Sequence, residues 1–306
     1  MLELSSFQLQ DLKQSPHVAV VLGITPDHLD HHRDMEEYIE AKRKIVRFQK
    51  AADFAVLDAD NKHTLHFEKS TQAKIYQVST ETAVQQGGFM KVGSLIIKEG
   101  KTGIMVGQKD DTKLLGPHNL KNILAAAVSA YLLRVPVEII TQVIREFPGL
   151  PHRLEFIKEI AGVTYYNDSA STNPLTAVAA IKSFPSPLIL IAGGSDKGAD
   201  FTVLGEEIAR SLHIKTVILM GTTKPKIEAA IETAISRLRS ETVKRENPLE
   251  LITAETYQEA FMVARFVAKA GDTVLLSPGC ASFDMFKNYQ ERGEIFRSFV
   301  LDIGIS

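Results

Sequence analysis

Residues 187–200 read PLILIAGGSDKGAD, an apolar run that ends in two glycines and a polar loop. A run of this length and composition is typical of a strand that is buried on both faces of a sheet. Similar runs occur in VTYYN, TVILMG and TVLLSP. The segments with helical periodicity lie between and around these runs, near 173–183, 202–212, 224–239, 255–269 and 289–302. This alternation predicts a parallel sheet with helices on both faces.

The N-terminal half mixes strand and helix patterns in a less regular way. Residues 74–115 lose the helical period and are expected to form short strands and hairpins. The other expected elements are strands at Val18–Leu22 and Phe54–Leu57, and helices at Met35–Gln49, Asn119–Leu133 and Val137–Phe147.

A break separates the two halves. Residues 147–152 read FPGLPH, and two prolines with a glycine in so short a segment interrupt a helix and favour a domain hinge. The sequence therefore predicts two α/β units, residues 1–148 and residues 149–306.

The composition argues against several classes of protein. Hydrophobic residues make up 44% and charged residues 24%, which is ordinary for a globular protein. The formal net charge of −2 shows no basic excess for nucleic acid or an anionic membrane. The single cysteine, Cys280, cannot form an internal disulfide. Because no signal peptide and no apolar span of ~18 residues is evident, we expect a cytoplasmic protein without nucleic-acid or membrane partners.

Four polar clusters follow predicted strands, where ligands bind in open α/β sheets. Residues 23–32, GITPDHLDHH, could bind a divalent ion or could simply cap a helix. Residues 165–174, YYNDSASTNP, could bind an anion at a helix N-terminus. They could equally form a capped helix start without a ligand, with Asn173 as the N-cap and Pro174 in the first turn.

The other two clusters are residues 193–200 and residues 277–288, SPGCASFDMFKN. In the first, the glycines let the backbone approach a ligand, and Lys197 could pair with a carboxylate or a phosphate. In the second, Cys280 has no base beside it and is expected to be a small buried residue rather than a nucleophile.

A partial phosphate-binding motif occurs at Glu99–Thr102, which reads EGKT. Leu95 stands where the complete motif requires a glycine, and strand-like runs flank the tetrapeptide. The segment is therefore expected to be a hairpin turn, and the 306 residues contain no complete motif of this kind.

Eight segments occur in an order that resembles the Mur ligases, and among them the glutamate-adding branch. They are ELSSFQL (3–9), ITPDHLD (24–30), AK (41–42), GPHNLKN (116–122), GLPHR (149–153), NDS (167–169), GGSDK (193–197) and LSPGCASFD (276–284). The resemblance implies an α/β fold with two parts. Residues 1–148 would be the C-terminal part of a P-loop-type central ATPase domain, and residues 149–306 a Rossmann-like C-terminal domain. A UDP-binding domain and the P-loop half of the ATPase domain would precede Met1.

The resemblance also implies roles for individual residues. Glu3 and His28 look like Mg²⁺ ligands. Lys42 matches a lysine that is carbamylated in the family, and the carbamate could hold metal or support the transferred phosphoryl group. The catalytic residues would be Lys42, His28 and Lys197. The residues expected to contact ATP are Asn119, Asn122, Arg153 and Asp168, and those expected to hold the amino acid are Thr172, Lys197, Ser282, Phe283 and Tyr289.

The implied activity is ATP- and Mg²⁺-dependent addition of D-glutamate to UDP-N-acetylmuramoyl-L-alanine, through an acyl phosphate, in peptidoglycan precursor synthesis. Two alternatives stay open. One is a related ligase that uses L-glutamate or folate polyglutamates, and the other is a truncated module that binds nucleotide or amino acid without catalysis. Many relatives have a lysine where Ala170 stands, so the glutamate enantiomer is also open.

Overall fold

The computed structural model describes residues 1–25, 32–239 and 248–303, and it divides the chain into two compact units. The N-terminal unit contains residues 1–113 and 117–147. The C-terminal unit contains residues 148–306 together with the short segment 114–116. His28 and its neighbours in residues 26–31 therefore lie outside the described residues.

The N-terminal unit is built on a six-stranded sheet in the order β1-β2-β3-β4-β5-β6. The first four strands are parallel, and β4, β5 and β6 are joined by antiparallel pairings. The strands are β1 (Val18–Val21), β2 (Phe54–Asp58), β3 (Lys74–Ser79), β4 (Gly87–Lys91), β5 (Ser94–Glu99) and β6 (Thr102–Gln108). The helices are α1 (Ser6–Gln10), α2 (Met35–Arg47), α3 (Lys62–Leu65), α4 (Pro117–Leu132) and α5 (Val137–Glu146), with 3₁₀ turns at His66–Ser70 and Lys109–Asp111.

The long elements expected in this unit are confirmed. The expected helix at Met35–Gln49 forms as α2, with Asp34 as its N-cap accepting from the Glu37 amide at 2.9 Å. The EGKT segment forms the turn between β5 and β6, as expected for a hairpin. The short helices α1 and α3 were not expected, because five or fewer residues carry too little helical periodicity to reveal them. Strand β4 lies within residues 74–115, where short strands were expected.

The C-terminal unit has a second six-stranded sheet, in the order β11-β10-β9-β12-β8-β7. Its strands are β7 (Glu155–Ile160), β8 (Val163–Asn167), β9 (Leu188–Gly193), β10 (Ile214–Met220), β11 (Glu250–Thr253) and β12 (Thr273–Leu276). Its helices are α6 (Pro174–Ile181), α7 (Thr202–Arg210), α8 (Lys224–Arg239), α9 (Tyr257–Val267) and α10 (Tyr289–Asp302). All pairings are parallel except that of the edge strand β7, which runs antiparallel to β8.

Helices cover both faces of this sheet, as the alternating pattern predicts. Leu188 and Leu190 of β9 pack in a buried cluster with side chains of α6, α7 and α8. Ile189 and Ile191, which alternate with them, pack in a second cluster with side chains of α9 and α10. Every residue of β9 is buried, so its apolar composition matches its place in the middle of the sheet.

Two strands of the C-terminal unit were missed in the sequence-based prediction. The antiparallel strand β7 and the outer strand β11 were not among the expected strands. In β7, EFIKEI contains three charged residues, none of its residues is fully buried and Phe156 is 52% exposed, so the strand has a solvated face. Within the described ranges, no helix combines the length and the apolar character needed to cross a bilayer.

Candidate functional site

Three loops of the C-terminal unit meet at one edge of its sheet. They comprise residues 167–174 after β8, residues 193–200 after β9 and residues 277–288 after β12. Because β8, β12 and β9 are adjacent and parallel, the loops at their carboxyl ends must be neighbours. These three segments are called the strand-end loops below.

Backbone hydrogen bonds connect the strand-end loops directly. The Gly279 amide donates to the carbonyl of Ser171 at 2.9 Å, and the Ser195 amide donates to the carbonyl of Ala281 at 2.8 Å. The loop after β12 is therefore bonded to both of the others. Buried backbone N–H and C=O groups need hydrogen-bond partners, and the strand-end loops supply these partners to one another.

Asp168 is the most strongly perturbed carboxylate at this edge. It is only 5% exposed, and burial raises its pKa to about 6. Its Oδ2 accepts hydrogen bonds from the hydroxyls of Ser171 at 2.5 Å and Ser277 at 2.8 Å, which oppose the rise. Its Oδ1 accepts from the amide of Leu154 at 3.1 Å.

A strained turn carries Arg153 next to Asp168. His152 and Leu154 have φ angles of 64° and 44°, in the left-handed region that costs a non-glycine residue about 1–2 kcal/mol. Hydrogen bonds hold the turn, since the Ala170 amide donates to the carbonyl of His152 at 2.9 Å and Asp168 accepts from Leu154. Arg153 is exposed between the two strained residues, so the structure brings together two residues expected to contact ATP.

Lys197 and Phe283 form the exposed part of the site. The Lys197 ammonium lies 4.9 Å from the centre of the Phe283 ring, and Phe283 is 62% exposed. A cation over an aromatic face gains about 0.5–1 kcal/mol at an exposed position. Two residues expected to hold the amino acid are thus in contact.

A glycine is required at position 193, at the start of the loop that carries Lys197. Gly193 has a φ of 108°, and a Cβ there would overlap the carbonyl oxygen of Met220.

The remaining residues expected to bind the amino acid differ in exposure. Thr172 is exposed, immediately before Asn173, which caps α6 with Pro174 in the first turn as expected. Tyr289 is the first residue of α10 and is half-buried. Ser282 is only 2% exposed, so in this conformation its side chain does not face solvent as Thr172 does.

Cys280 is confirmed as a buried residue. It is 3% exposed, and burial raises the pKa of its thiol to about 11. Its sulfur lies 3.3 Å from the hydroxyl of Thr223. A thiol with this pKa is almost wholly protonated at neutral pH and is a poor nucleophile.

In the N-terminal unit, Asn119 and Asn122 lie on one face of α4. The Asn122 amide donates to the side-chain oxygen of Asn119 at 3.0 Å. Lys121, which was not singled out from the sequence, pairs with Asp58 at 2.9 Å and Asp60 at 3.1 Å at the end of β2. These two carboxylates hold the start of α4 against the sheet, and nothing in the local pattern of GPHNLKN reveals them.

The residues expected to bind metal are only partly described. Glu3 is exposed just before α1, and Lys42 is half-buried on α2 with its ammonium 4.9 Å from the Tyr38 ring centre. His28 lies outside the described residues. Among the residues that are described, no three His, Cys, Asp or Glu side chains are grouped so as to hold a metal ion.

His32 contacts both α1, which follows Glu3 in the chain, and α2, which carries Lys42. It is 2% exposed, and its Nε2 lies 2.9 Å from the hydroxyl of Ser6 on α1. Its ring stacks on Phe7 with centroids 5.5 Å apart and contacts the ring of Tyr38 on α2. The sequence placed His32 only in a His-rich cluster, and its packing role depends on the tertiary contacts.

Two protein-family models match the chain. The model of the Mur ligase middle domain matches residues 1–130, and that of the Mur ligase glutamate ligase domain matches residues 152–280. The chain belongs to the Mur ligase family. The expected fold class is confirmed by these matches together with the two α/β sheets.

Among curated proteins, several Mur ligases are similar to the chain over nearly its whole length. The UDP-N-acetylmuramoylalanine--D-glutamate ligase of Symbiobacterium thermophilum is 40% identical over 302 residues, 98% of this chain and 64% of the relative. The enzyme of the same name from Clostridium tetani is 41% identical over 99% of this chain and 63% of the relative. The chain therefore spans just under two thirds of the length of these relatives.

Solved structures of Mur ligases share the fold at low sequence identity. MurF from Acinetobacter baumannii has a TM-score of 0.66 at 16% identity, covering 94% of this chain and 60% of that one. MurF from Thermotoga maritima, solved in complex with ADP, has a TM-score of 0.62 at 18% identity, covering 95% and 64%. At these identities the likeness concerns the fold alone.

Proposed function

We propose that the chain, as part of a complete Mur ligase, joins D-glutamate to UDP-N-acetylmuramoyl-L-alanine at the expense of ATP. The observation that carries the proposal is the contact among the strand-end loops. They bring a buried carboxylate, Asp168, and an exposed ammonium, Lys197, to one edge of a sheet. About 40% identity to D-glutamate ligases over nearly the whole chain supports the choice of substrates.

The residue types suit the two small ligands. Glutamate has two carboxylates, and the Lys197 ammonium with the Thr172 hydroxyl would bind them through charge-assisted and neutral hydrogen bonds. Asp168 and Arg153 would contact the ribose end of ATP, where a carboxylate can accept hydrogen bonds from sugar hydroxyls. Asn119 and Asn122 offer the amide donors and acceptors that an adenine edge requires.

The proposed reaction has two steps. The terminal carboxylate of the nucleotide-linked alanine attacks the γ-phosphorus of ATP, so a C–O–P linkage forms and ADP leaves. The amine of glutamate then attacks the acyl carbon, the C–N bond forms, the C–O bond to phosphate breaks, and the amine loses a proton. Such phosphoryl transfer depends mainly on positioning and charge neutralisation.

Mg²⁺ would bind to few protein groups. Glu3 has the carboxylate oxygen that this ion prefers, and it is exposed for an ion that keeps phosphate oxygens and water as its other ligands. Lys42 fits only after carbamylation, because an ammonium cannot ligate a cation. Bound there, Mg²⁺ would neutralise phosphate charge. Location in the cytoplasm, where ATP is available, is part of the same proposal.

The decisive experiment restores the length of the relatives. The chain is joined to the N-terminal part of the Symbiobacterium thermophilum enzyme that it does not cover, and phosphate release is measured with UDP-N-acetylmuramoyl-L-alanine and ATP. We expect release with D-glutamate and a product that is heavier by one glutamate residue. Release only with L-glutamate, or only with a folate substrate, would assign the chain to a different ligase, and no release with any of them would refute the proposal.

A non-catalytic binding module is the second candidate. The absence of a complete phosphate-binding loop in the 306 residues favours it for the chain by itself. Isothermal titration of the unmodified chain with ADP and with D-glutamate tests this candidate. Binding of either ligand, with no phosphate release from the chain joined to the relative's N-terminal part, would favour the module over the ligase.

A further inference from the structure

Arg292 on α10 is the most deeply buried cation near the strand-end loops. Its relative exposure is 0%, and it is the largest fully buried side chain among the described residues. Arginine is rarely buried to this degree unless it is paired. The residue lies one turn after Tyr289, at the start of the helix that follows the third strand-end loop.

Every N–H group of the guanidinium has an acceptor. Nε donates to the hydroxyl of Ser169 at 2.9 Å, and Nη2 donates to the carbonyls of Ser169 at 2.8 Å and Cys280 at 3.1 Å. Nη1 donates to the carbonyls of Cys280 at 3.1 Å and Ala281 at 3.3 Å. Arginine has five N–H donors in a rigid fork, and all five are used on two loops.

The third loop is held through the same atoms. The carbonyl of Ala281, which accepts from Arg292, also accepts from the Ser195 amide at 2.8 Å. A Cβ on Gly194 would lie 3.2 Å from Nη1 of Arg292, so the glycine leaves room for the guanidinium. One buried side chain therefore fixes the three strand-end loops that carry Asp168, Lys197 and Phe283.

The charge of Arg292 is not neutralised by a bonded carboxylate. None of the ion pairs found in the described ranges involves Arg292. Asp284 and Asp168 lie close enough for their charge to raise the pKa of Arg292, although neither is hydrogen-bonded to it. Asp168 accepts from two serines, and Oδ2 of Asp284 accepts from the Thr222 amide at 3.1 Å, whereas its buried Oδ1 has no hydrogen-bond partner among the described residues. Burial lowers the pKa of Arg292 to about 10, which still leaves it protonated at neutral pH. Burying a charge whose hydrogen bonds all go to neutral groups costs stability.

We propose that Arg292 is a positioning and specificity-determining residue, which sets the strand-end loops and makes this edge of the sheet attractive to an amino acid with a second carboxylate. The inference rests on the proposed ligase function and deepens it. Arg292 does not touch the substrate, because it has no exposed surface. It acts through the carbonyls and the hydroxyl that it binds and through its charge, which adds to that of Lys197 in the loop after β9.

The test compares glutamate with its uncharged analogue. Arg292→Met and Arg292→Lys are made in the chain joined to the relative's N-terminal part, and kcat/KM is measured for D-glutamate and D-glutamine. We expect Arg292→Met to lower the glutamate-to-glutamine ratio by about tenfold or more. Arg292→Lys should keep the ratio within about threefold and lower kcat for both, because an ammonium keeps the charge without the five-donor fork. Arg265→Met, on an exposed arginine of the same unit, is the matched control and should leave the ratio unchanged.

The outcomes separate this inference from the proposed function. An unaltered ratio in Arg292→Met overturns the inference, and so does an equal loss of the ratio in Arg292→Lys. If the parent enzyme turns over no glutamate, the proposed function fails first, before any variant is compared. Circular dichroism and thermal unfolding check that the variants fold. Should Arg292→Met not fold, Arg292→Gln, which is also uncharged but retains hydrogen-bonding capacity, takes its place.

Discussion

Ionisation of Asp168 should make the folded chain less stable as the pH rises from 4 to 7.5. Burial raises the pKa of this carboxyl to about 6, whereas an unfolded chain has a value near 3.8. Between these two values the folded state holds more protons than the unfolded state, so the free energy of unfolding falls as the pH increases. The stabilising contribution is complete below about pH 3.8 and is lost as the pH passes through about 6.

The size of the effect follows from the separation of the two pKa values. A difference of about two units at roughly 1.4 kcal/mol per unit gives about 3 kcal/mol, of which about 2–3 kcal/mol falls between pH 4 and pH 7.5. No discount for solvent screening applies, because Asp168 is only 5% exposed. Asp168→Asn keeps a neutral, isosteric side chain and removes the titration.

Two measurements check this prediction. Carboxyl carbon shifts of labelled protein, followed by NMR against pH, should place the Asp168 titration near 6. Urea unfolding of both proteins should show the stability of the parent relative to Asp168→Asn declining by about 2–3 kcal/mol from pH 4 to pH 7.5. A titration near 4, with a difference between the two proteins that does not depend on pH, would refute the reasoning.

Three further changes have defined outcomes. Lys197→Ala should raise the KM for D-glutamate by about tenfold or more, since it removes a charge-assisted bond, and should change the KM for ATP by less than about twofold. Steady-state kinetics on the joined enzyme measure both constants, and equal losses would count against the assignment. Lys121→Met leaves the buried carboxylates of Asp58 and Asp60 without their cation, and it should lower the free energy of unfolding of the N-terminal unit in urea by about 2–3 kcal/mol. This is less than the loss for a fully buried pair, because the Lys121 side chain is 21% exposed. A loss within about 0.5 kcal/mol would show that the pair adds little. Gly193→Ala should destabilise by more than about 2 kcal/mol, because its Cβ would meet the Met220 carbonyl. Gly271→Ala, at a similar φ of 92° with open space around it, should cost about 1 kcal/mol, and equal losses at the two positions would remove the steric explanation.

The inner strands of the C-terminal sheet could be predicted because burial on both faces demands continuous apolar runs. LILIAG in β9 and TVLL in β12 are entirely buried, and their composition reports it directly. Strand β7 has a solvated face and β11, ELIT, has no fully buried residue, so neither carries such a run. The N-terminal sheet was harder to predict, since β4 begins with two glycines that resemble a turn.

The positions of candidate site residues could be predicted where the family motif and a strand end coincide. Asp168 follows β8 directly and Lys197 lies in the loop after β9, so strand prediction alone put them at the edge where ligands bind in open α/β sheets. Arg292, Lys121 and His32 could not be found in this way. Each one hydrogen-bonds to a group more than 20 residues away in the sequence, and the local hydrophobic periodicity of a segment does not predict such contacts.

Amino-acid order alone determined the alternation of strands and helices, the break rich in proline and glycine near residue 148 and the loops that follow each strand, because these depend on local periodicity and on proline and glycine geometry. Tertiary structure alone decided the raised pKa of Asp168, the strained turn around Arg153 and the burial of the Arg292 guanidinium. Those properties arise from burial and from partners that distant segments supply, and a carboxylate or a guanidinium has the same ordinary chemistry until folding removes it from water.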